Sequence, residues 1–287
     1  MIYLNLIRIS QWIKNLLIFA TPIAIGNFKF IFSFKSIIFF ISFSLFVSST
    51  YIINDLKDVE SDKLHPQKKY RPLASGKISA STAIKIFFVQ FLFSLIIIFI
   101  IDSKLLVLSL GYLTLTLLYT YKFKYKKYFD ILTIAILFLS RLYIGSFFFN
   151  IPVSSDLFIV VFFLSIVLVT SKKYSIRNNA HIRGGKVHNF LISSYTNRTL
   201  LAIIFISSVM SSLGMLYWIF DKKYFQIVDS ALISYFLIFF LYEILLFILF
   251  RLTKKQKTED FSELLYESKL LKSLIISIMV LYIFQII

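Results

Sequence analysis

Residues 36–72 read SIIFFISFSLFVSSTYIINDLKDVESDKLHPQKKYRP, and the order of their apolar, acidic and basic parts guides the interpretation of the whole chain. The apolar run ends at Ile53. Four of the 14 acidic residues follow within eight positions, and a basic segment comes after them. If a helix continues through the acids, Asp55, Asp58 and Asp62 stand at i, i+3 and i+7 and share one face. The stretch predicts a membrane helix that ends in a face of carboxylates.

These carboxylates indicate a cation site. Clustered carboxylates repel one another unless a cation lies between them, and the neighbouring lysines and arginines are typical of phosphate binding. Mg²⁺ is the cation that combines carboxylate and phosphate oxygens most readily, so we expect a magnesium site here. The alternative is a solvated charged loop, which would not need the same-face spacing.

Composition places the chain among polytopic helical membrane proteins. Of its 287 residues, 59% are hydrophobic, and the four prolines and seven glycines leave no flexible linker. A single transmembrane domain over residues 1–287 is therefore expected. The absence of cysteine excludes disulfides, thiolate metal sites and cysteine nucleophiles.

Apolar runs of spanning length indicate about nine transmembrane helices in an all-α fold. The third and fourth runs are separated only by Asp102-Ser103-Lys104. The nine runs cover residues 13–26, 36–53, 82–101, 104–121, 129–150, 156–171, 199–220, 229–250 and 270–286.

Basic residues are unevenly distributed among the connections. Of the 31 lysines and arginines, 24 fall at the N-terminus and after spans two, four, six and eight, whereas five fall on the opposite side. Positive charge accumulates on the cytoplasmic side of membrane proteins, so the N-terminus and the acidic stretch are predicted to be cytoplasmic and the C-terminus external, in the inner (cell) membrane. The net charge of +17 is then largely a topology signal, and nucleic acid is not expected as a partner. The remaining excess favours an anionic, phosphate-bearing substrate.

Ionisable residues inside predicted spans indicate an inward-facing surface. Asp130 and Arg141 are eleven positions apart and share a face of span five with Gly145. About 16 Å of helical rise separates the two charges, so each needs another partner. For Glu243 in span eight, a buried hydrogen bond and a functional role remain equally open.

Three other polar segments have a structural and a functional interpretation. The aromatic and basic residues from Tyr119 to Tyr128 suit either an interfacial belt or a phosphate site. In the polar segment 171–198, His181 and His188 lack acidic companions and are interpreted as loop residues. A solvated helix is the favoured interpretation of Glu259, Glu263 and Glu267.

The run Asn-Asp-x-x-Asp-x-x-x-Asp, which begins at Asn54, resembles the UbiA superfamily of intramembrane prenyltransferases. Within it, the likeness is greatest to the decaprenyl-phosphate phosphoribosyltransferase branch. One departure is Ile176, which stands where that branch leads us to expect an acid. The segments that carry the likeness are Gln11-Trp12-x-Lys14-Asn15; His65-Pro66-x-Lys68-x-x-Arg71-Pro72-x-x-x-Gly76; Tyr119 with Lys124, Asp130, Arg141 and Gly145; and Lys172-Lys173-Tyr174.

The resemblance implies a helical bundle around a cytoplasm-facing cavity. The implied reaction moves 5-phosphoribose from phosphoribosyl diphosphate (PRPP) to a polyprenyl phosphate, releases diphosphate and serves cell-envelope polysaccharide synthesis. It implies Mg²⁺ held by Asn54, Asp55, Asp58 and Asp62, with catalytic roles for the three aspartates and for Arg141. The implied substrate-binding residues are Lys14, Asn54, Lys68, Arg71, Tyr119, Lys124, Asp130, Lys172 and Lys173.

Two other functions stay open at this point. A prenyl-diphosphate-dependent aromatic prenyltransferase would keep the aspartate motif but would need a second acidic site. No Asp or Glu occurs between Asp156 and Asp221, where ordinary members of the superfamily carry that site. A transporter of an anionic lipid is the non-enzymatic alternative, although the sequence has no internal repeat to support it.

Overall fold

The protein is described by a computed structural model, which covers residues 2–65, 68–178, 186–220, 229–255 and 268–286. Within these ranges the structure is helical apart from short turns and connections, and it contains no strand. The α-helices are α1 Ile2–Leu6, α2 Ala20–Ala24, α3 Phe28–Ile31, α4 Phe34–Lys63, α5 Ala80–Ile101, α6 Ser103–Leu118, α7 Phe129–Phe149, α8 Ser155–Asn178, α9 Lys186–Ser194, α10 Asn197–Phe220, α11 Asp229–Lys255 and α12 Lys269–Ile286.

Six segments among the described residues are long and apolar enough to cross a membrane. They comprise α4, α5, α7, α8, α10 and the continuous segment Ser103–Phe123. The all-helical membrane class is thus confirmed, while the count of nine spans is not. Helices α11 and α12 occupy the last two predicted runs.

The chain forms two compact units. The first contains Met1–Thr133, Ser140–Pro152 and Ala180–Ser193, and the second contains Ile134–Leu139, Val153–Asn179 and Ser194–Ile287.

Helix α4 is the central element of the first unit. The Ser33 hydroxyl accepts a hydrogen bond from the Ser36 amide at 3.2 Å and caps its N-terminus. Thirty residues at about 1.5 Å each exceed the bilayer core of about 30 Å, so the acidic end extends beyond the apolar run. The prediction that the helix continues through the acids is confirmed.

The expected first span, residues 13–26, is wrong as a single α-helix. Residues Ile9–Phe19 form a 3₁₀ helix, and α2 follows it. Trp12 Nε1 donates to the Ser48 hydroxyl at 2.9 Å, and Asn15 Nδ2 donates to the Ser44 hydroxyl at 3.1 Å. Three residues of 3₁₀ helix and four of α-helix both rise about 6 Å, so the tighter helix keeps this pairing with α4 in register.

Gly145 allows α7 to approach that 3₁₀ helix closely. A Cβ at this position would lie 2.0 Å from the Ile18 carbonyl oxygen, a distance that no side chain tolerates. Gly76 has a different role, because its φ of +71° needs glycine while the space around it is open. Gly145 and Gly76, two glycines of the family resemblance, are thus explained by a close backbone approach and by a positive φ, respectively.

Helix α8 anchors the second unit and runs further than predicted. It continues to Asn178, and α9 begins at Lys186, so much of the expected polar loop 171–198 is helical. Arg177 holds the end of α8 against the start of α10: its Nε donates to the Tyr195 carbonyl at 3.0 Å and its Nη1 to Asn197 Oδ1 at 2.7 Å. These bonds stabilise the polar last turns of α8, a segment for which the sequence pattern favours a loop.

Candidate active site

The last turns of α4 carry the three aspartates on one helix, as predicted. Asp55 and Asp62 are only 3% and 5% exposed, although both are acids at the end of a membrane helix. A buried carboxylate is stable only with charge partners or hydrogen bonds. The partners come from distant parts of the same unit.

Asp55 lies between two arginines. Arg8 Nη2 forms an ion pair with Asp55 Oδ1, and Arg71 Nη1 lies 3.1 Å from the same oxygen. The same Arg71 nitrogen lies 2.7 Å from Asp62 Oδ2. One guanidinium nitrogen is therefore shared by the two carboxylates.

Asp58 is held separately, by a lysine and an amide. Lys124 Nζ forms an ion pair with Asp58 Oδ2, and Asn54 Nδ2 donates to the same oxygen at 3.0 Å. The structure brings together Asn54, Asp55, Asp58, Asp62, Arg71 and Lys124 from the predicted set.

A π-helical turn, Tyr119–Phe123, presents Lys124 to Asp58. The Lys124 amide donates to the Tyr119 carbonyl at 2.9 Å, the i→i−5 bond of a π-helix. Such single-turn widenings occur frequently at functional sites, because the extra residue redirects the side chains that follow. The aromatic and basic segment 119–128 therefore positions one site cation.

Lys57 connects the same turn to α4. Its Nζ donates to the Thr120 carbonyl at 2.8 Å and lies 3.8 Å from the centre of the Tyr121 ring. Its ammonium group thus binds a backbone oxygen and an aromatic face. Lys57 is a positioning residue that sequence reasoning missed.

Arg8 contacts the motif directly, although it is not among the predicted site residues. Its backbone is left-handed, with φ 52° and ψ 53°, at the break between α1 and the 3₁₀ helix, and its guanidinium lies 5.2 Å from the centre of the Tyr51 ring. Burial lowers the pKa of Arg8, but the negative charge of Asp55, aided by Tyr51 and Asp62, raises it further than burial lowers it. Arg8 thus carries a permanent positive charge beside Asp55.

Tyr125 stands at the edge of the same cluster. Burial raises the pKa of its hydroxyl, and the charges of Asp58 and Asp62 raise it further. The hydroxyl is therefore protonated at neutral pH and can donate a hydrogen bond. Its ring packs edge-on against Phe190, with centroids 5.8 Å apart.

Arg141 supports the 3₁₀ helix. Its Nε donates to Asn15 Oδ1 at 2.9 Å, its Nη2 donates to the Tyr112 hydroxyl at 2.6 Å, and the residue is 4% exposed. Asn15, carried by the family resemblance, thus joins Arg141 to α4. No pattern predicted Tyr112, which is 29 residues away from Arg141.

The other predicted residues occupy several elements. Lys14 lies in the 3₁₀ helix, Lys68 in the short 3₁₀ turn Lys68–Tyr70, and Tyr119 at the start of the π-helical turn. Asp130 is fully buried in the first turn of α7, where the helix dipole favours negative charge. Lys172 and Lys173 lie on α8 in the second unit, with Lys173 buried.

The structure bears on two further residues, His188 and Glu243. His188 is a buried residue of α9, so its assignment to a loop is wrong. The Glu243 Oε1 atom is buried and makes no hydrogen bond to any described residue, so the hydrogen-bonded alternative is not seen at that atom. His181, Glu259, Glu263 and Glu267 lie outside the described residues.

The oxygen donors suit a divalent cation in their chemistry. Carboxylate and amide oxygens are what Mg²⁺ prefers, and Asp55 and Asp62 already share one positively charged group, Arg71 Nη1. Within the described ranges, however, no three His, Cys, Asp or Glu side chains are arranged to hold a metal ion together. Arg71 lies between Asp55 and Asp62 instead, and Lys124 is paired with Asp58.

These features define a multi-pass helical membrane protein with a charge-balanced carboxylate cluster at the end of one membrane helix. The model of the UbiA prenyltransferase family matches residues 16–258, and the chain belongs to that family.

Relatives and solved structures agree with this assignment. The chain is 29% identical over 221 residues to a decaprenyl-phosphate phosphoribosyltransferase of Mycolicibacterium smegmatis, covering 75% of this chain and 69% of the relative. A protein of the same name from Mycobacterium tuberculosis is 29% identical over 222 residues, covering 75% and 73%. A UbiA homologue from Archaeoglobus fulgidus, solved with GPP and Mg²⁺, has the same fold: TM-score 0.63, 18% identity, coverage 100% and 98%.

Proposed function

We propose that this protein transfers 5-phosphoribose from PRPP to a polyprenyl phosphate at the cytoplasmic face of the inner membrane, in a Mg²⁺-dependent reaction that supplies cell-envelope polysaccharide precursors. The observation that carries the proposal is that the acidic cluster on α4 is matched to cations, while the sequence has no acid between Asp156 and Asp221. A prenyl-diphosphate transferase of this family would need a second acidic site there. The relatives named phosphoribosyltransferase support the same choice.

The chemistry needs charge stabilisation more than a base. The bond between the sugar C1 and a diphosphate oxygen breaks, its electron pair leaves with diphosphate, and a phosphate oxygen of the lipid forms the new bond to C1. A bound Mg²⁺ would stabilise the negative charge on the leaving diphosphate. The acceptor oxygen is already anionic, so the protein need not remove a proton.

In this proposal the site residues have three roles: metal binding, phosphate binding and positioning. The metal would be held by Asn54, Asp55, Asp58 and Asp62, some as direct ligands and others through hydrogen bonds to those ligands. Arg71 and Lys124 bind the donor phosphates, Lys68 assists them, and Lys172 and Lys173 bind the acceptor phosphate. Arg141, with Asn15 and Tyr112 as partners, keeps the 3₁₀ helix and Lys14 in place. Attack of the acceptor oxygen on the face of C1 opposite the leaving diphosphate would invert the configuration at C1 and give a β-linked product.

A membrane-fraction assay tests the reaction. Membranes are incubated with radiolabelled PRPP, polyprenyl phosphate and Mg²⁺, with or without EDTA, and extracted with organic solvent. Label should enter the lipid phase only when metal is present. If no label is extracted while a prenyl diphosphate is consumed with an aromatic acceptor, the phosphoribosyl assignment is wrong and the prenyltransferase alternative replaces it.

A further inference from the structure

The described carboxylate cluster contains its own counter-ions. Asp55, Asp58 and Asp62 are paired with Arg8, Arg71 and Lys124, three negative charges against three positive charges. All six side chains are less than one-third exposed, between 4% and 28%. A divalent cation arriving alone would find no net negative charge and would have to displace cations that already hold the oxygens.

We infer that Arg8 is a further phosphate-binding residue, and that Arg8, Arg71 and Lys124 move from the carboxylates to the donor's diphosphate as the metal binds, so that metal and diphosphate enter the site together. This inference rests on the proposed function for the donor's diphosphate group alone. It does not depend on what the diphosphate is attached to. Each cation would exchange one oxygen partner for another, and no charge would be left unpaired.

Arg8 is suited to such an exchange because its position is imposed by the fold. Its left-handed backbone is uncommon for a residue other than glycine, and strain of this kind is frequent at functional sites. The guanidinium lies over the Tyr51 ring and is bound to Asp55 alone among the acids, whereas Arg71 bridges two. Arg8, like Lys124, therefore has one carboxylate partner to exchange, whereas Arg71 has two.

The test measures binding, without turnover. Purified full-length protein in detergent is dialysed to equilibrium against radioactive Mn²⁺, alone or with inorganic diphosphate, and the excess of label on the protein side reports bound metal. The inference predicts weak binding of Mn²⁺ alone and at least about tenfold tighter binding with diphosphate. Reciprocity requires that Mn²⁺ tighten diphosphate binding by the same factor. Equal binding of Mn²⁺ with and without diphosphate would overturn the inference.

Two substitutions at Arg8 separate this role from a structural one. Arg8→Gln removes one counter-ion, so Mn²⁺ alone should bind several-fold more tightly, while Mn²⁺ with diphosphate should bind several-fold more weakly. Arg8→Lys keeps the charge and should leave binding of Mn²⁺ alone unchanged. A variant that was only damaged would lose both affinities together, and that result would contradict the inference.

A matched control is Lys104→Gln, which removes one positive charge from the exposed first turn of α6. It should reproduce the wild-type protein in both measurements. Because the probe is inorganic diphosphate, coupling without phosphoribosyl transfer would refute only the proposed reaction. Transfer without coupling would refute only the present inference.

Discussion

The last turns of α4 and of α8 both carry polar side chains beyond an apolar stretch, but the two helices differ in the partners of these side chains. On α4 the three aspartates have cationic partners inside the chain. On α8 the buried hydroxyls of Thr170, Ser171 and Ser175 have no hydrogen-bond partner among the described residues. Opposite charges stabilise the first region without a ligand. In the second region no described residue satisfies these hydroxyls, and buried polar groups without a partner are few in folded proteins.

The largest expected effect comes from Asp58→Asn. The substitution keeps the shape of the side chain and its hydrogen bonds, but it removes the charge that Lys124 neutralises. We expect kcat/KM for PRPP to fall by about 10²–10³-fold or more, while expression and membrane insertion remain normal. Asp102→Asn is the matched control, because asparagine also caps a helix and Asp102 only caps α6, accepting from the Lys104 amide at 2.7 Å. Undiminished activity of Asp58→Asn would exclude the metal role of this residue.

Lys124→Ala should have the next largest effect. It removes the one ammonium bound to Asp58, which the proposed mechanism assigns to the donor phosphates. A charge-assisted contact contributes about 1.5–3 kcal/mol, so the apparent KM for PRPP should rise by about tenfold or more. Steady-state kinetics over a range of PRPP concentrations measure it. An unchanged KM would place Lys124 outside the donor site and leave it a structural partner of Asp58.

Arg177→Gln tests a polar side chain of α8 whose hydrogen bonds are satisfied. Its two bonds, to the Tyr195 carbonyl and to Asn197 Oδ1, join α8 to the start of α10. Their loss should destabilise the folded protein by about 1–3 kcal/mol, seen as a lower Tm in detergent. Arg251→Gln, at an exposed position of α11, is a control that should leave Tm within error. If both variants melt alike, these bonds contribute nothing to stability.

The two regions also differ in how far the sequence predicts them. Helical periodicity places Asp55, Asp58 and Asp62 on one face, because α4 remains regular through its acidic end. The pairing of Arg8 with Asp55 joins residues 47 positions apart and leaves no local pattern. The π-helical turn before Lys124 is a one-residue widening that hydrophobic periodicity does not register. At the polar end of α8, Arg177 forms tertiary contacts with Tyr195 and Asn197, which the local sequence pattern does not reveal.

The smallest effect, and the most direct test of the comparison, is expected for Ser175→Ala against Ser165→Ala. Both serines are on α8 and almost fully buried, at 3% and 2% exposure. The Ser165 hydroxyl donates to the Phe162 carbonyl at 2.7 Å, whereas the Ser175 hydroxyl has no partner in the described structure. Removing a satisfied hydroxyl costs about 0.5–1.5 kcal/mol, but removing an unsatisfied one relieves its desolvation cost. Ser165→Ala should therefore lower Tm slightly, and Ser175→Ala should leave it unchanged or raise it. Equal losses in the two variants would mean that Ser175 is as well satisfied as Ser165, and the distinction between the ends of α4 and α8 would then fail.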